Sequence, residues 1–539
     1  MNNAVLKHIH DHLPMFNPDV ARGFACSQIQ HAEEYIEKVL RCAESGFPPG
    51  IKYVRCERTT PIDEFNFKTS KKGQKRVYEY ASSDVYLMRY IFSFNDEELD
   101  PGYMFLPWVR PGGIIRIVGS NFQISPVLAD KAISVDEDSI FIPLNRDKLT
   151  FRRLTHNYVI DGERVMCNVI WSNIYHVSKK NRLLSSRRIV YANATLGHYL
   201  FCKYGLQQAF AITTGSDVFA GLPDVINEEN YPPSEWHICE STKWKPATLR
   251  NRYYIGSNIR LAIRRKDYNV GAQGLIASFF YVVDHFPTRM DSLALIEYLN
   301  DPRLWRVLMG HLYFTPDEPE GRLLNRIDIH MESLDGYVDG MVKEWLQEDN
   351  VYVNNLYELF MHVIETYSTR ITESGQSVAS MYGKRLMVLR YVLIDIIKSI
   401  FGMMFSLQVM SKKKLTKQDV SKAINNFLKP YTIMRINYQH TEVSSASNET
   451  SCMAIKLTAN VVPQTNISNG QGGKTTVINA SRLLHSSLAE VGQAFNLPKA
   501  DPTGKTRINP YVQTTPSGVI VRKPHLVELL DDVERQISR

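Results

Sequence analysis

Four carboxylates, Asp328, Glu332, Asp335 and Asp339, recur at spacings of 4, 3 and 4 residues. On one continuous helix they form a stripe roughly 120° from the apolar face of Ile327, Met331, Leu334, Val338, Met341 and Trp345. Such a row could hold a divalent metal for phosphodiester chemistry. The plainer alternative is a solvated or salt-bridged surface, because acidic stripes are common on exposed helices. Like charges four residues apart repel mildly, so something must compensate them.

Two glycine-lysine-threonine sites suggest phosphate binding. In Asn469-Gly470-Gln471-Gly472-Gly473-Lys474-Thr475 the required glycine five residues before Gly473 is replaced by Ser468. No buried strand precedes it, so an ordinary glycine loop is the default. Asp501-Pro502-Thr503-Gly504-Lys505-Thr506 reads as a turn. His8, His10 and His12 would share one face of a strand, but at a terminus that frays. His237 and Cys239 lack further metal-ligand types nearby. No G-x-S-x-G, H-E-x-x-H, G-x-G-x-x-G or complete P-loop occurs. This points to a chain without an activity, metal or cofactor of its own.

Cations interleaved with aromatics make the stronger pattern. Residues 241–266 contain Lys243, Lys245, Arg250, Arg252, Arg260, Arg264, Arg265 and Lys266 and no acid, with Trp244, Tyr253 and Tyr254 among them. A second acid-free run holds Lys179, Lys180, Arg182, Arg187 and Arg188. Cations neutralise phosphates and aromatic faces stack bases, so the combination suits a nucleic-acid groove. It does not distinguish DNA from RNA. The same residues fit a solvated basic face, or one paired with acids from elsewhere in the fold.

The charge distribution sharpens this reading. The 539 residues carry 63 basic and 56 acidic side chains, a net +7. Residues 151–310 alone hold 20 basic against 13 acidic residues, which equals that whole excess. Apolar residues make up 44%, ordinary for a globular chain of about three to four domains. That composition excludes a disordered chain, a collagen-like fibre and a small disulfide scaffold. Seven widely spaced cysteines without a C-x-x-C argue against a disulfide framework and for a reducing, intracellular setting. The N-terminus lacks a signal peptide's basic and apolar regions. The apolar stretch 385–410 is interrupted by Arg390, Asp395 and Lys398, which predicts a buried core helix and not a membrane span.

These residues need elements to position them. Residues 29–44 read as a helix, and 84–94 as a helix or a strand. Residues 103–176 read as successive strands. Turns are predicted at Gly119-Ser120-Asn121 and Asn145-Arg146-Asp147, and most clearly at Asp161-Gly162, where both positions need positive φ. Helices are expected over 194–204 and 275–285, and two short strands over 253–264. A bundle follows over 321–430: one helix from 324 through Trp345, one over 356–371, one over 378–410 bent near Gly383 or Gly402, and one opened by a capping box at Thr416. Residues 432–438 and 453–459 alternate like strands, amid Ser/Asn/Gly-rich and proline-punctuated excursions.

The stretches Pro107-Trp108-Val109-Arg110-Pro111-Gly112-Gly113 with 124–131, and Leu497-Pro498-Lys499 with 502–511, resemble uncharacterised proteins of large-genome tailed bacteriophages. The resemblance covers about a third of the chain and assigns no residue a role. It implies phage transcription, replication or the virion as the setting.

The expected architecture is a multidomain α+β protein. It has a mixed region over 1–100, an antiparallel β-barrel or sandwich over 101–190, and a basic mixed α/β region over 191–320. A helical bundle over 321–430 and an extended C-terminal region over 431–539 complete it. The expected function is a viral nucleic-acid-binding accessory subunit of a transcription or replication complex, working in the host cytoplasm. Its partners would be nucleic acid and other protein subunits, the latter through the C-terminal region, with no membrane. The alternatives are a virion structural or assembly protein, and a metal-dependent phosphodiester enzyme.

Overall fold

The computed structural model describes residues 17–70, 77–136, 138–144, 148–174, 194–242, 258–284, 296–314, 318–334, 337–373, 380–411, 415–435, 444–446, 460–463, 487–492, 506–509, 511–515 and 517–521. The fold is α+β, with antiparallel sheets and no closed barrel among the described residues. It divides into two compact units. Residues 132–375 form one, and the segments before and after them form the other. Strands read as one region over 101–190 therefore serve both units, as do the helices of 321–430.

The unit built from both chain ends centres on β2 (Val85–Phe94), which is buried along almost its whole length. It pairs with β1 (Ile51–Arg58), β3 (Glu97–Glu98) and β4 (Gly102–Pro107). The strand reading of 84–94 is the correct one, because a strand covered on both faces loses its apolar alternation. The helix Ala32–Glu44 buries Ala32, Ile36, Val39, Leu40 and Ala43 on one face, and β1 packs against it. β5 (Ile114–Ile117) and β6 (Ser120–Ile124) form a hairpin, but its turn is Val118-Gly119, with φ of 48° and 82°. The turn sits earlier than expected because Ile117 pairs with Ser120, leaving only two loop residues.

β7 (Val127–Asp130) leads out of this unit, and β15 (Lys384–Met387), its antiparallel partner, leads back. The single helix expected over 378–410 is thus a correction. Residues 384–387 are a strand, and the long helix is Ile394–Met410. Ladder hydrogen bonds to β7 outcompete local helical propensity there. No helix among the described residues is long and apolar enough to cross a membrane. The capping box at Thr416 opens the helix Lys417–Phe427 as expected. Residues 430–435 form a 3-10 helix where a strand was expected. Described pieces of the C-terminal region return to this unit: Ser444–Ala446 pairs with β6, and Asn460–Pro463 pairs with β7.

The inserted unit carries a seven-stranded sheet. β8 (Ser134–Asp136), β9 (Ser139–Pro143), β10 (Lys148–Ile160), β11 (Glu163–Ser172), β12 (Val218–Gly221), β13 (Trp236–Ser241) and β14 (Arg260–Arg264) build it. β10 and β11 form the predicted Asp161-Gly162 hairpin, with φ of 50° and 85° at the turn. Phe151, Tyr158, Val169, Cys239, Leu261 and Ile263 bury the inner face. The helix Val270–Asp284 packs on that side and is buried nearly all round. Helices Leu196–Tyr204, Pro302–Tyr313, Glu320–Leu334 and Leu356–Glu373 continue the same core around Trp305.

Candidate nucleic-acid interface

Alternation along β13, β14 and β12 sends Trp236, Arg264 and Phe219 to the outer face of this sheet. Trp236 lies directly opposite Arg264, whose guanidinium sits 5.3 Å from the indole centroid. Phe219 and Tyr231 meet the same indole at 5.7 Å and 5.1 Å. The result is an aromatic cluster topped by a cation on an open β surface.

The described part of the basic run is only partly free. Arg260 pairs with Glu240 at 3.0 Å and donates to the Ile226 carbonyl. Arg265 pairs with Asp161 at 2.7 Å. One acid comes from β13 and the other from the β10–β11 turn, so a run without a single acid in sequence is partly neutralised in space. Arg264 and Lys266 are exposed and have no carboxylate partner among the described residues. Arg164 on β11 shares that property.

Asp161 organises this corner. One carboxylate oxygen meets His237 Nδ1 at 2.6 Å and the Arg265 guanidinium. The other accepts from the Ile238 amide at 3.0 Å. Partial burial pushes the Asp161 carboxyl up, but the Ile238 amide, His237 and Arg265 together outweigh it and hold it below the usual range. The Asp-Gly pair read from sequence as a turn is therefore also the pin between the hairpin tip and β13. Only the turn was visible locally, because His237 and Arg265 lie 76 and 104 residues away.

Lys179, Lys180, Arg182, Arg187 and Arg188 lie outside the described residues. So do Lys243, Trp244, Lys245, Arg250, Arg252, Tyr253 and Tyr254. The points where their segments join the sheet are described. β11 ends at Ser172 beside Phe151, and Asn173 exchanges hydrogen bonds with Thr150. β13 ends at Ser241 beside Tyr158, and the Thr242 hydroxyl donates to the Asn157 carbonyl at 3.2 Å. β11 and β13 flank β10 on opposite sides, both antiparallel to it. The two basic segments are therefore attached to strand ends that point the same way. Along β10 the attachment levels, Thr150 and Asn157, are roughly 23 Å apart.

Behind the end of β13, Ser241 donates to Asp284 at 2.7 Å, and the buried His156 lies 3.3 Å from the other Asp284 oxygen. The residue types match a nucleophilic triad, but the hydroxyl bonds the carboxylate instead of the imidazole and the group is buried. Its role is to tie β13 to the helix Val270–Asp284.

The carboxylate stripe does not survive folding. The helix Glu320–Leu334 ends before Asp335, which lies outside the described residues. Asp339 starts a second helix, Gly340–Glu348, as its N-cap, accepting from the Val342 amide. Asp328 is engaged by Arg306 at 2.8 Å. The expected continuous helix through Trp345 is thus two helices, and the compensating charge is an arginine. Among the described residues no group of three His, Cys, Asp or Glu side chains is placed to hold a metal ion. The His8/His10/His12 set and the loop 469–475 lie outside the described residues.

No curated protein matches this chain. The family described as "Non-virion RNA polymerase subunit" matches residues 1–535, so the chain belongs to the non-virion RNA polymerase subunit family, a viral transcription family.

Proposed function

We propose that this chain is an accessory subunit of a viral RNA polymerase that supplies nucleic-acid contacts from its inserted unit. The observation carrying this reading is the attachment of two acid-free basic segments, 175–193 and 243–257, to strand ends pointing the same way on one sheet. Arg264 at the end of β14 and Lys266 in the 3-10 turn after it add exposed cations. Cations carried on two segments joined to one sheet can neutralise several phosphates of one backbone. The same reading places the work in the host cell and assigns contacts with other subunits to residues 431–539.

The test is binding to fluorescent single- and double-stranded DNA and RNA across a salt series. Tight binding that falls steeply with salt is expected. Charge reversal at Lys243, Lys245, Arg250 and Arg252 should weaken it by about tenfold or more and flatten the salt slope. Absence of binding at low salt, or unchanged affinity in that variant, overturns the reading. A virion building block has no comparable observation behind it, and the family's description as non-virion counts against it. A metal-dependent phosphodiester enzyme would need Asp328 free of Arg306.

A further inference from the structure

Large apolar side chains left in water usually occur singly, and a cluster of them marks a contact surface. One such cluster lies in the unit built from the chain ends. The helix Pro61–Thr69 buries none of its residues, and its outward side chains include Ile62 at 72% and Phe65 at 66% exposure. The short helix Val77–Ala81 packs against it and exposes Tyr78 at 75%. Ile62 and Phe65 are three residues apart, the spacing of two anchors on one helical face.

Beside this helix runs an open groove of about 580 Å³, with Arg58, Thr60, Glu64, Phe65 and Lys68 in its walls. Glu64 is fully committed, accepting from Lys68 and from the Leu87 amide. Arg58 is exposed, stacked 4.6 Å from the Tyr86 ring centroid and 4.4 Å from that of Trp108. It has no carboxylate partner among the described residues. In sequence, the link to the next helix adds Lys71, Lys72, Lys75 and Arg76 and no acid.

We infer that the outward face of Pro61–Thr69 and its groove dock an apolar, acid-rimmed surface of another subunit of the polymerase. Ile62 and Phe65 are the anchors, and Arg58 receives a carboxylate from the partner. The chemistry favours this occupant. An aliphatic anchor such as Ile62 gives a nucleobase no face to stack on. The chain belongs to a family of polymerase subunits, so chains of other sequence are its partners, and one of them can supply the carboxylate that Arg58 lacks here.

The polymerase is assembled by co-expressing all its subunits with this chain, either native or carrying Ile62→Glu with Phe65→Glu. Recovery of the chain in the complex should fall about tenfold or more, while the free variant keeps native circular dichroism and melting temperature. Arg58→Glu should cause a smaller, salt-sensitive loss. Val409→Glu, at an exposed apolar position on the helix Ile394–Met410, should cause none. Unchanged assembly in the double variant overturns the proposal, as does an equal loss with Val409→Glu. Loss of self-association would assign the face to a second copy, and a fall in the free chain's nucleic-acid affinity would assign it to nucleic acid. Either result overturns the proposal. Failure of the native chain to bind nucleic acid would leave it untouched.

Discussion

The Arg265 guanidinium lies 2.7 Å from the Asp161 carboxylate, joining the end of β14 to the tip of the β10–β11 hairpin across 104 residues. One member belongs to a run that in sequence looks purely basic, and the other to what looks like an ordinary turn. Their pairing marks Arg265 as a fastener, and leaves Arg264 and Lys266 as the exposed cations beside it.

Asp161→Ala should destabilise the protein by about 1–3 kcal/mol, because it removes hydrogen bonds to a backbone amide and two charged or chargeable partners. Chemical denaturation at neutral pH measures this. Because folding lowers the Asp161 pKa, its contribution is complete above the unfolded value near 4. It is lost as pH falls through the folded value. The difference between wild type and Asp161→Ala should therefore shrink below about pH 4. A difference constant across that range would contradict the assignment.

Acid should act earlier at two histidines, the buried His198 and the half-buried His330. Burial holds the His198 imidazole down at about 4, opposed by its contact with the Trp305 carbonyl at 2.9 Å. Burial alone holds His330 at about 4. Both are neutral in the folded protein, so their contribution is complete above the unfolded value near 6.5 and is lost as pH falls towards 4. For His198 the loss by pH 4 is on the order of 3 kcal/mol. Melting curves between pH 7 and 4 should show a steep fall. His198→Leu should flatten that fall while lowering stability at pH 7.

Gly205 closes the helix Leu196–Tyr204 and opens Leu206–Thr214 at φ +78°. A Cβ there would stand 2.3 Å from the Asn300 carbonyl oxygen, and Asn300 is itself held by two hydrogen bonds to Gln207. Gly205→Ala should cost about 3 kcal/mol or more, since backbone strain and a backbone clash add. Gly215→Ala, at φ +67° with open space around it, should cost only about 1 kcal/mol. Parallel urea titrations of the two variants separate the clash from the strain.

Thr416 and Asp419 exchange hydrogen bonds as the capping box of Lys417–Phe427. Thr416→Ala should cost about 1 kcal/mol, and Thr416→Ser almost nothing, because serine keeps the accepting oxygen. Thermal melts distinguish the two. Equal losses would mean that the methyl group, and not the hydroxyl, holds this end.

Local features were legible wherever short-range physics decides them. Asp161-Gly162 announces its hairpin because Asp-Gly readily takes the two successive positive φ values of a type I′ turn. The capping box at Thr416 is complete within four residues. Ile36, Val39, Leu40 and Ala43 declare one buried face by spacing alone. Illegible were features set by a distant partner. Lys384–Met387 reads as part of a helix until β7 is there to pair with it. Asp328 reads as either a candidate metal ligand or a salt-bridged surface residue until Arg306 is seen beside it.

By itself the sequence determined the α+β character, the Asp161-Gly162 hairpin, the capping box at Thr416 and the concentration of positive charge between residues 151 and 310. Each depends on residue type and near-neighbour spacing, which the chain carries with it. Tertiary structure alone decided which cations are neutralised and where the two basic segments join a common sheet. It also decided that residues 132–375 form a unit inserted between adjacent strands of another. Those outcomes rest on pairings between residues tens to hundreds of positions apart. Such pairings form only when burial of a shared core brings the partners into contact.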